Sequence, residues 1–205
     1  MIGILNYGVG NIRAIVNCYQ SLNYPVKVIQ NRSEMKGVTH FIMPGVGSFD
    51  QAKRLFVNSE FYLDVENYVF DKKFPILAIC VGMQLLFSKS EEGLLPGLGW
   101  IDGEILSLNK GLNNKFTPVP HMGWNSIKLE SNEESLFKGL QGNEDFYFLH
   151  SYYAKCASES NIIARTDYQI MFTSAVRKEN IIGVQFHPEK SHGWGKKILE
   201  NFYLN

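Results

Sequence analysis

The chain has 205 residues, of which 45% are hydrophobic, 13% aromatic and 20% charged, and its 20 basic residues balance its 20 acidic ones. That composition suits one substantial globular core and is short for two full domains, while a formal net charge of zero provides no global field for nucleic acid or an anionic membrane. No apolar run reaches the length of a bilayer span, and Cys18, Cys80 and Cys156 form neither a disulfide framework nor a zinc-ligand pattern, so a reducing cytoplasm is the expected setting.

In chain order, "IGILNY" reads as a short first strand, not a signal peptide, because no basic region precedes it. After the turn at Gly8 and Gly10, the residues Ile12, Ile15, Val16, Tyr19 and Leu22 recur at helical spacing, with Asn11 as the expected N-cap. "PVKVIQ" and "THFIMPG" read as strands, a helical stretch starts near Phe49, and "PILAIC" is a buried strand running into the apolar helix "GMQLLF". Apolar strands separated by helical patterns imply βαβ units and a parallel sheet covered on both faces. The back half differs: "GWIDGEILSLN", "WNSIKLE", "DFYFLHSYYAKC", "NIIART", "IMFTSAVRK" and "IIGVQF" are strand-like, and an amphipathic helix from about Trp194 to Tyr203 ends the chain. We expect one mixed α/β domain over residues 1–205, with a largely parallel central sheet flanked by helices. "GVGNIR" and "GVGSFD" begin like dinucleotide fingerprints but lack the sixth-position glycine, so tight βα turns explain them better than a nicotinamide cofactor.

Three strand ends carry residues suited to chemistry. Cys80 stands in Ala78-Ile79-Cys80-Val81-Gly82, close to the G-x-Nuc-x-G form of a nucleophile elbow, at a helix N-terminus that favours thiolate. On this segment alone a core cysteine and a nucleophile are equal readings. "GVQFHPEKS" places His187 and Glu189 two apart around Pro188; in extended chain both project to one side, so a base and its orienting carboxylate could face a thiol. A surface histidine beside a proline turn is the bland alternative. "MPGVGSF" is a glycine-containing loop whose backbone N–H groups could stabilise an oxyanion. In open parallel sheets, sites form outside the carboxyl ends of strands, where all three segments fall.

The ordered set "NYGVGN", "MPGVGSFD", "CVGMQLLFSKSEEG", "PHMGWN", "FYFLHSYY" and "GVQFHPEKS" resembles the class I (triad-type) glutamine amidotransferases through nearly the whole chain. More narrowly, it resembles the HisH-type glutaminase subunits of imidazole glycerol phosphate synthase. The resemblance implies a flavodoxin-like fold, Cys80 as nucleophile, His187 as general acid/base and Glu189 as its orienting carboxylate. Val46, Gly47 and the backbone of Val81 would form the oxyanion region, and Gly47, Gln84, Glu92, Ser151 and Tyr152 match positions that contact substrate glutamine. No metal or organic cofactor is implied.

The implied reaction is hydrolysis of L-glutamine to glutamate and ammonia through a cysteinyl thioester. Ammonia would pass to a HisF-type (β/α)8-barrel partner making imidazole glycerol phosphate and AICAR in histidine biosynthesis. Asn11, Trp124, Tyr147 and Lys190 match partner-interface positions; for Trp124, internal packing is the alternative. Two departures, Asn6 for the family's usual aspartate and Ala78 for the usual glycine before the elbow, keep open a paralogue that supplies ammonia for amidation of a sugar in surface-polysaccharide synthesis. Two rival readings are a catalytically silent regulatory or scaffold subunit and a cysteine hydrolase acting on another small amide without a partner.

Overall fold

The computed structural model describes residues 1–111, 117–131 and 134–205. The front half is β1 (Ile2–Leu5), α1 (Ile12–Ser21), β2 (Val26–Ile29), β3 (His40–Gly45), α2 (Phe49–Val57), α3 (Tyr62–Phe70), β4 (Ile76–Cys80), α4 (Val81–Leu85) and β5 (Lys89–Ser90). The back half is β6 (Gly103–Ser107), α5 (Leu108–Gly111), β7 (His121–Ser126), β8 (Lys128–Leu129), β9 (Asp145–His150), β10 (Tyr152–Cys156), β11 (Ile162–Asp167), β12 (Met171–Lys178), β13 (Ile181–Val184) and α6 (His192–Leu204).

The main sheet runs β2-β1-β3-β4-β13-β12-β10-β6-β5, with β11 and β8 branching from β12. β2, β1, β3, β4 and β13 are mutually parallel, and β12, β10 and β6 continue the sheet antiparallel. The parallel strands β1 and β4 are buried along their whole length, as strands covered on both faces must be. Their side chains join those of α1, α2, α3 and α6 in a contiguous core. Among the described residues, no helix is long and apolar enough to cross a membrane.

Several local expectations need correction. The helical stretch from Phe49 is two helices, α2 and α3. Asn11 holds the N-cap position of α1, but its side chain makes no capping bond. The helix after Cys80 is only five residues long, because the segment after it wraps its end: Leu98 N–H caps the Leu85 carbonyl at 2.8 Å and Ile101 N–H caps that of Leu86 at 3.0 Å. "WNSIKLE" is not one strand; β7 and β8 lie in different sheets, with Ile127 buried between them. "DFYFLHSYYAKC" likewise breaks at Ser151, so β9 pairs with β7 in a separate two-stranded ribbon while β10 stays in the main sheet.

The two departures from the family pattern keep the local structure. The Asn6 side chain accepts the Gly8 N–H at 3.3 Å, a turn contact that an aspartate would also make. Ala78 is fully buried, in register with Met43 on β3 and Gly183 on β13.

The carboxyl ends of β3 and β4 are in register, Gly45 opposite Cys80, and α4 presses against them. A Cβ added at Gly82 would lie 2.2 Å from the Met43 carbonyl oxygen, a backbone atom with no room to retreat. Gly82→Ala is therefore expected to cost about 1–3 kcal/mol of stability, the usual penalty of overpacking. Urea unfolding checks this, and an unchanged midpoint would show that the contact yields.

Candidate active site

Cys80 ends β4 with φ 55° and ψ −114°, a conformation that costs a non-glycine residue about 1–3 kcal/mol. The chain thereby passes from strand to helix within one residue, the geometry of a nucleophile elbow. With α4 only five residues long, the free N–H groups of its first turn, not a long macrodipole, are what it can offer the thiol. Cys80 is 4% exposed and lies on a cavity of about 300 Å³. Its Sγ lies 3.8 Å from the Leu149 carbonyl, to which the thiol can donate, and accepts from Gln185 Nε2 at 3.7 Å.

His187 arrives from the neighbouring strand, because β13 pairs in parallel with β4 and places Val184 beside Ile79. Glu189 is not on an extended strand, as the sequence suggested. Pro188 opens a 3₁₀ turn over Pro188–Lys190, consistent with the fixed φ of proline at a first helical position. The contact survives: His187 Nδ1 lies 2.9 Å from Glu189 Oε1, and both side chains are buried. A carboxylate only accepts, so Nδ1 carries the proton donated to Glu189 and Nε2 is left for Cys80. Burial alone would lower the His187 pKa. Hydrogen bonds with Cys80 and Glu189, and the charges of both, override it and raise the pKa to about 10. An imidazolium beside a cysteine sulfur is the usual means of activating such a thiol.

Val46, Gly47, Val81, Gln84, Glu92, Ser151 and Tyr152 all line the same cavity as Cys80 and His187. The Val81 N–H opens α4, and Gly47 adopts φ +87° in the loop after β3. The Tyr7 hydroxyl donates to the Pro44 carbonyl just before that loop. Burial holds the phenol's pKa well above its ordinary range, so it remains a donor. Glu92 accepts the Phe49 N–H at the start of α2.

Three of the four expected interface residues cluster around the Tyr147 ring, and of these Lys190 also lines the cavity. The Lys190 Nζ sits 5.3 Å from the centre of the Tyr147 ring, and Trp124 meets that ring edge-on at 6.0 Å. Trp124 is 48% exposed and stacks on His192 at 5.0 Å, so it is not a core residue. Asn11 is half-buried at the opening of α1, the helix that packs against the Pro188–Lys190 turn.

Sequence reasoning missed a second layer. His150 Nδ1 lies 2.9 Å from the Tyr152 carbonyl, to which it must donate, so its Nε2 accepts from His121 Nδ1 at 3.0 Å. The Tyr152 carbonyl also accepts from Gln84 Nε2 at 3.0 Å, and Gln84 reaches Gln185 Oε1 at 3.1 Å. A hydrogen-bonded path thus runs from the β7–β9 ribbon to Cys80. Burial pushes His121 down to about 4 and His150 to about 3, so both are neutral at physiological pH. A signal existed: Phe146, Phe148 and His150 alternate along β9, which puts the histidine on the ribbon's inward, apolar face.

A cysteine, an imidazole and a carboxylate converging at the strand ends of an α/β sheet are the groups that a thiol acyl-transfer site requires. Comparison with known proteins narrows this class. The model of the family "Glutamine amidotransferase class-I" matches residues 3–205. The chain is 45% identical over 202 residues to the imidazole glycerol phosphate synthase subunit HisH of Leptospira interrogans, covering 98% of each chain. It is 44% identical to that of Bdellovibrio bacteriovorus, at the same coverage. Among solved structures, a putative GMP synthase subunit from Thermoplasma acidophilum superposes with a TM-score of 0.71 at 19% identity, covering 98% of this chain and 90% of that one. PurLQS from Thermotoga maritima gives 0.72 at 16% identity, covering 100% and 98%. The chain belongs to the class-I glutamine amidotransferase family.

The raised pKa of His187 has a sign that can be checked. A group whose folded pKa exceeds its unfolded one stabilises the fold fully below the unfolded value. Here that contribution is complete below about pH 6.5 and is lost as pH rises toward about 10. In an NMR titration, His187 should stay protonated through neutrality, and Cys80→Ala or Glu189→Gln should each lower its pKa. A His187 that titrates near 6.5 in the unmodified chain would refute the assignment.

Proposed function

We propose that this chain is the glutaminase subunit of an imidazole glycerol phosphate synthase, hydrolysing L-glutamine and passing the ammonia to a (β/α)8-barrel partner. The observation that carries the reading is the convergence of Cys80, His187, Gln84, Glu92, Ser151 and Tyr152 on one cavity, in a chain 45% identical to HisH subunits along its length.

In the mechanism, Cys80 Sγ attacks the carboxamide carbon of glutamine. The developing oxyanion is met by the Val81 N–H and by the Val46–Gly47 loop. His187, oriented by Glu189, gives its proton to the departing ammonia, leaving a glutamyl thioester. Water, deprotonated by His187, attacks the thioester and releases glutamate with return of the thiol. Glu92 receives the substrate's α-ammonium group as a charge-assisted hydrogen bond, while Ser151 and Tyr152 hold its other end.

The partner surface is the outward face of the β7–β9 ribbon. Cross-strand pairs Met122–Leu149 and Trp124–Tyr147 put apolar side chains in solvent, with Met122 66% exposed. Leu149 lines the reaction cavity as well. A contiguous exposed apolar face beside a reaction cavity fits a protein interface, and a partner seated there would meet ammonia at its source. The intact cysteine, histidine and carboxylate set argues against a silent scaffold role.

Glutamate release from glutamine should be weak for the chain alone and rise strongly with the barrel partner and its acceptor. Cys80→Ala should lower the stimulated rate at least about a thousandfold; retention of full activity would sink the nucleophile assignment. Trp124→Ala should weaken the complex by roughly thirtyfold, the size of an interface hot spot, or uncouple glutamine hydrolysis from acceptor turnover. Unchanged affinity and coupling would remove Trp124 from the interface.

A further inference from the structure

Asp50 takes no part in the chemistry above, yet it holds the segment that carries Glu92. It lies in the first turn of α2, and its carboxylate accepts two consecutive backbone N–H groups, Leu94 to Oδ2 and Leu95 to Oδ1, each at 3.1 Å. These bonds hold its pKa below the usual carboxylate range. In return, the Glu92 carboxylate accepts the Phe49 N–H of the same helical turn at 3.2 Å. The two segments thus clamp each other, carboxylate to backbone in both directions.

The fit leaves no slack. A Cβ added at Gly93, between Glu92 and the two donors, would lie 1.9 Å from Asp50 Oδ1, so the clamp requires glycine there. Arg54, the cation beside the clamp, stands 3.9 Å from Asp50 Oδ2 and is largely exposed. It leaves the Leu94 and Leu95 bonds as the closer contacts.

From this geometry we infer that Asp50 is a positioning residue for substrate selection: by fixing the Glu92–Leu95 segment against α2, it aims the Glu92 carboxylate into the cavity so that only an amide substrate bearing an α-ammonium group is held. The inference rests on the reading of Glu92 as the ammonium acceptor and extends it to the residues that set its direction. Burial raises the Glu92 pKa, the Phe49 N–H opposes this, and the Asp50 charge raises it again. Glu92 therefore holds its charge at the cavity wall against both burial and the Asp50 carboxylate behind it, and a cation in the cavity relieves both. The same helix follows the Val46–Gly47 loop, so one turn of α2 sets the distance between the oxyanion region and the ammonium acceptor.

The experiment measures binding by calorimetry in a Cys80→Ala background, where nothing turns over, using L-glutamine and its α-deamino analogue glutarate monoamide. Asp50→Ala should weaken L-glutamine roughly ten- to a hundredfold, the scale of one charge-assisted hydrogen bond, and change glutarate monoamide less than about twofold. Asp50→Asn, which keeps one acceptor oxygen, should fall between and serves in place of Asp50→Ala if that variant fails to fold. Gly93→Ala should mimic Asp50→Ala and add little to it in the double variant. Equal weakening of both ligands, or of neither, overturns the inference. Glu92→Gln distinguishes the levels. If it leaves glutamine affinity unchanged, the role of Glu92 itself falls and the inference falls with it; if it weakens glutamine while Asp50→Ala does not, the inference alone falls.

Discussion

Holding a cysteine at φ 55° obliges β4 to end and α4 to begin within a single residue, and the surrounding packing follows from that demand. Gly82 lets the first turn of α4 close on the Met43 carbonyl. β3 ends in register with Cys80, so its trailing loop stands beside the sulfur. On the other side β13 brings in Gln185 and His187. A relaxed backbone at Cys80 would turn the thiol away from both neighbours. The strain is sustained because the elements on either side are fully buried and cannot move independently.

Around that turn the site has two kinds of support. His187 and Glu189 are two apart in sequence and held by one 3₁₀ turn, with Ser191 Oγ donating to the His187 carbonyl at 2.6 Å. Its neutral members, His121, His150, Gln84 and Gln185, come from four separate parts of the chain and meet through shared carbonyl and amide groups. Tyr147 joins the two: its carbonyl accepts the His187 N–H and its own N–H donates to Ser191 Oγ, each at 2.9 Å. The ribbon that presents Trp124 to solvent is therefore tied through the Tyr147 backbone to His187 and Ser191, on either side of the Pro188–Lys190 turn.

What could be read from residue order depended on how local the determining physics was. The meeting of Cys80, His187 and Glu189 was legible because each turn is set by its own neighbours: small residues around Cys80, proline between His187 and Glu189. The parallel front half was legible from apolar runs and helical spacing. The ribbon was not, because β7 and β8, or β9 and β10, carry similar strand-forming residues, and the break at Ser151 coincides with a contact from His150 to the Tyr152 carbonyl that only the fold reveals. The early end of α4 was hidden for the same reason: the donors that cap it, Leu98 and Ile101, lie in a segment without regular structure. Asn11 shows the converse. A good capping residue at the right place makes no side-chain cap, so local propensity there has no counterpart in the final contacts.

The pairing of β13 with β4 also bears on biosynthesis. Until residues beyond 180 leave the ribosome, β4 has only β3 beside it, and an apolar strand ending in a thiol is an open sheet edge. The same late strand closes that edge and leads into His187, through contacts spanning more than a hundred residues, such as Gln185 to Cys80. Contacts of such separation form late and slowly. A partly made chain therefore holds its cysteine without its histidine until the strand that covers the edge of β4 is in place.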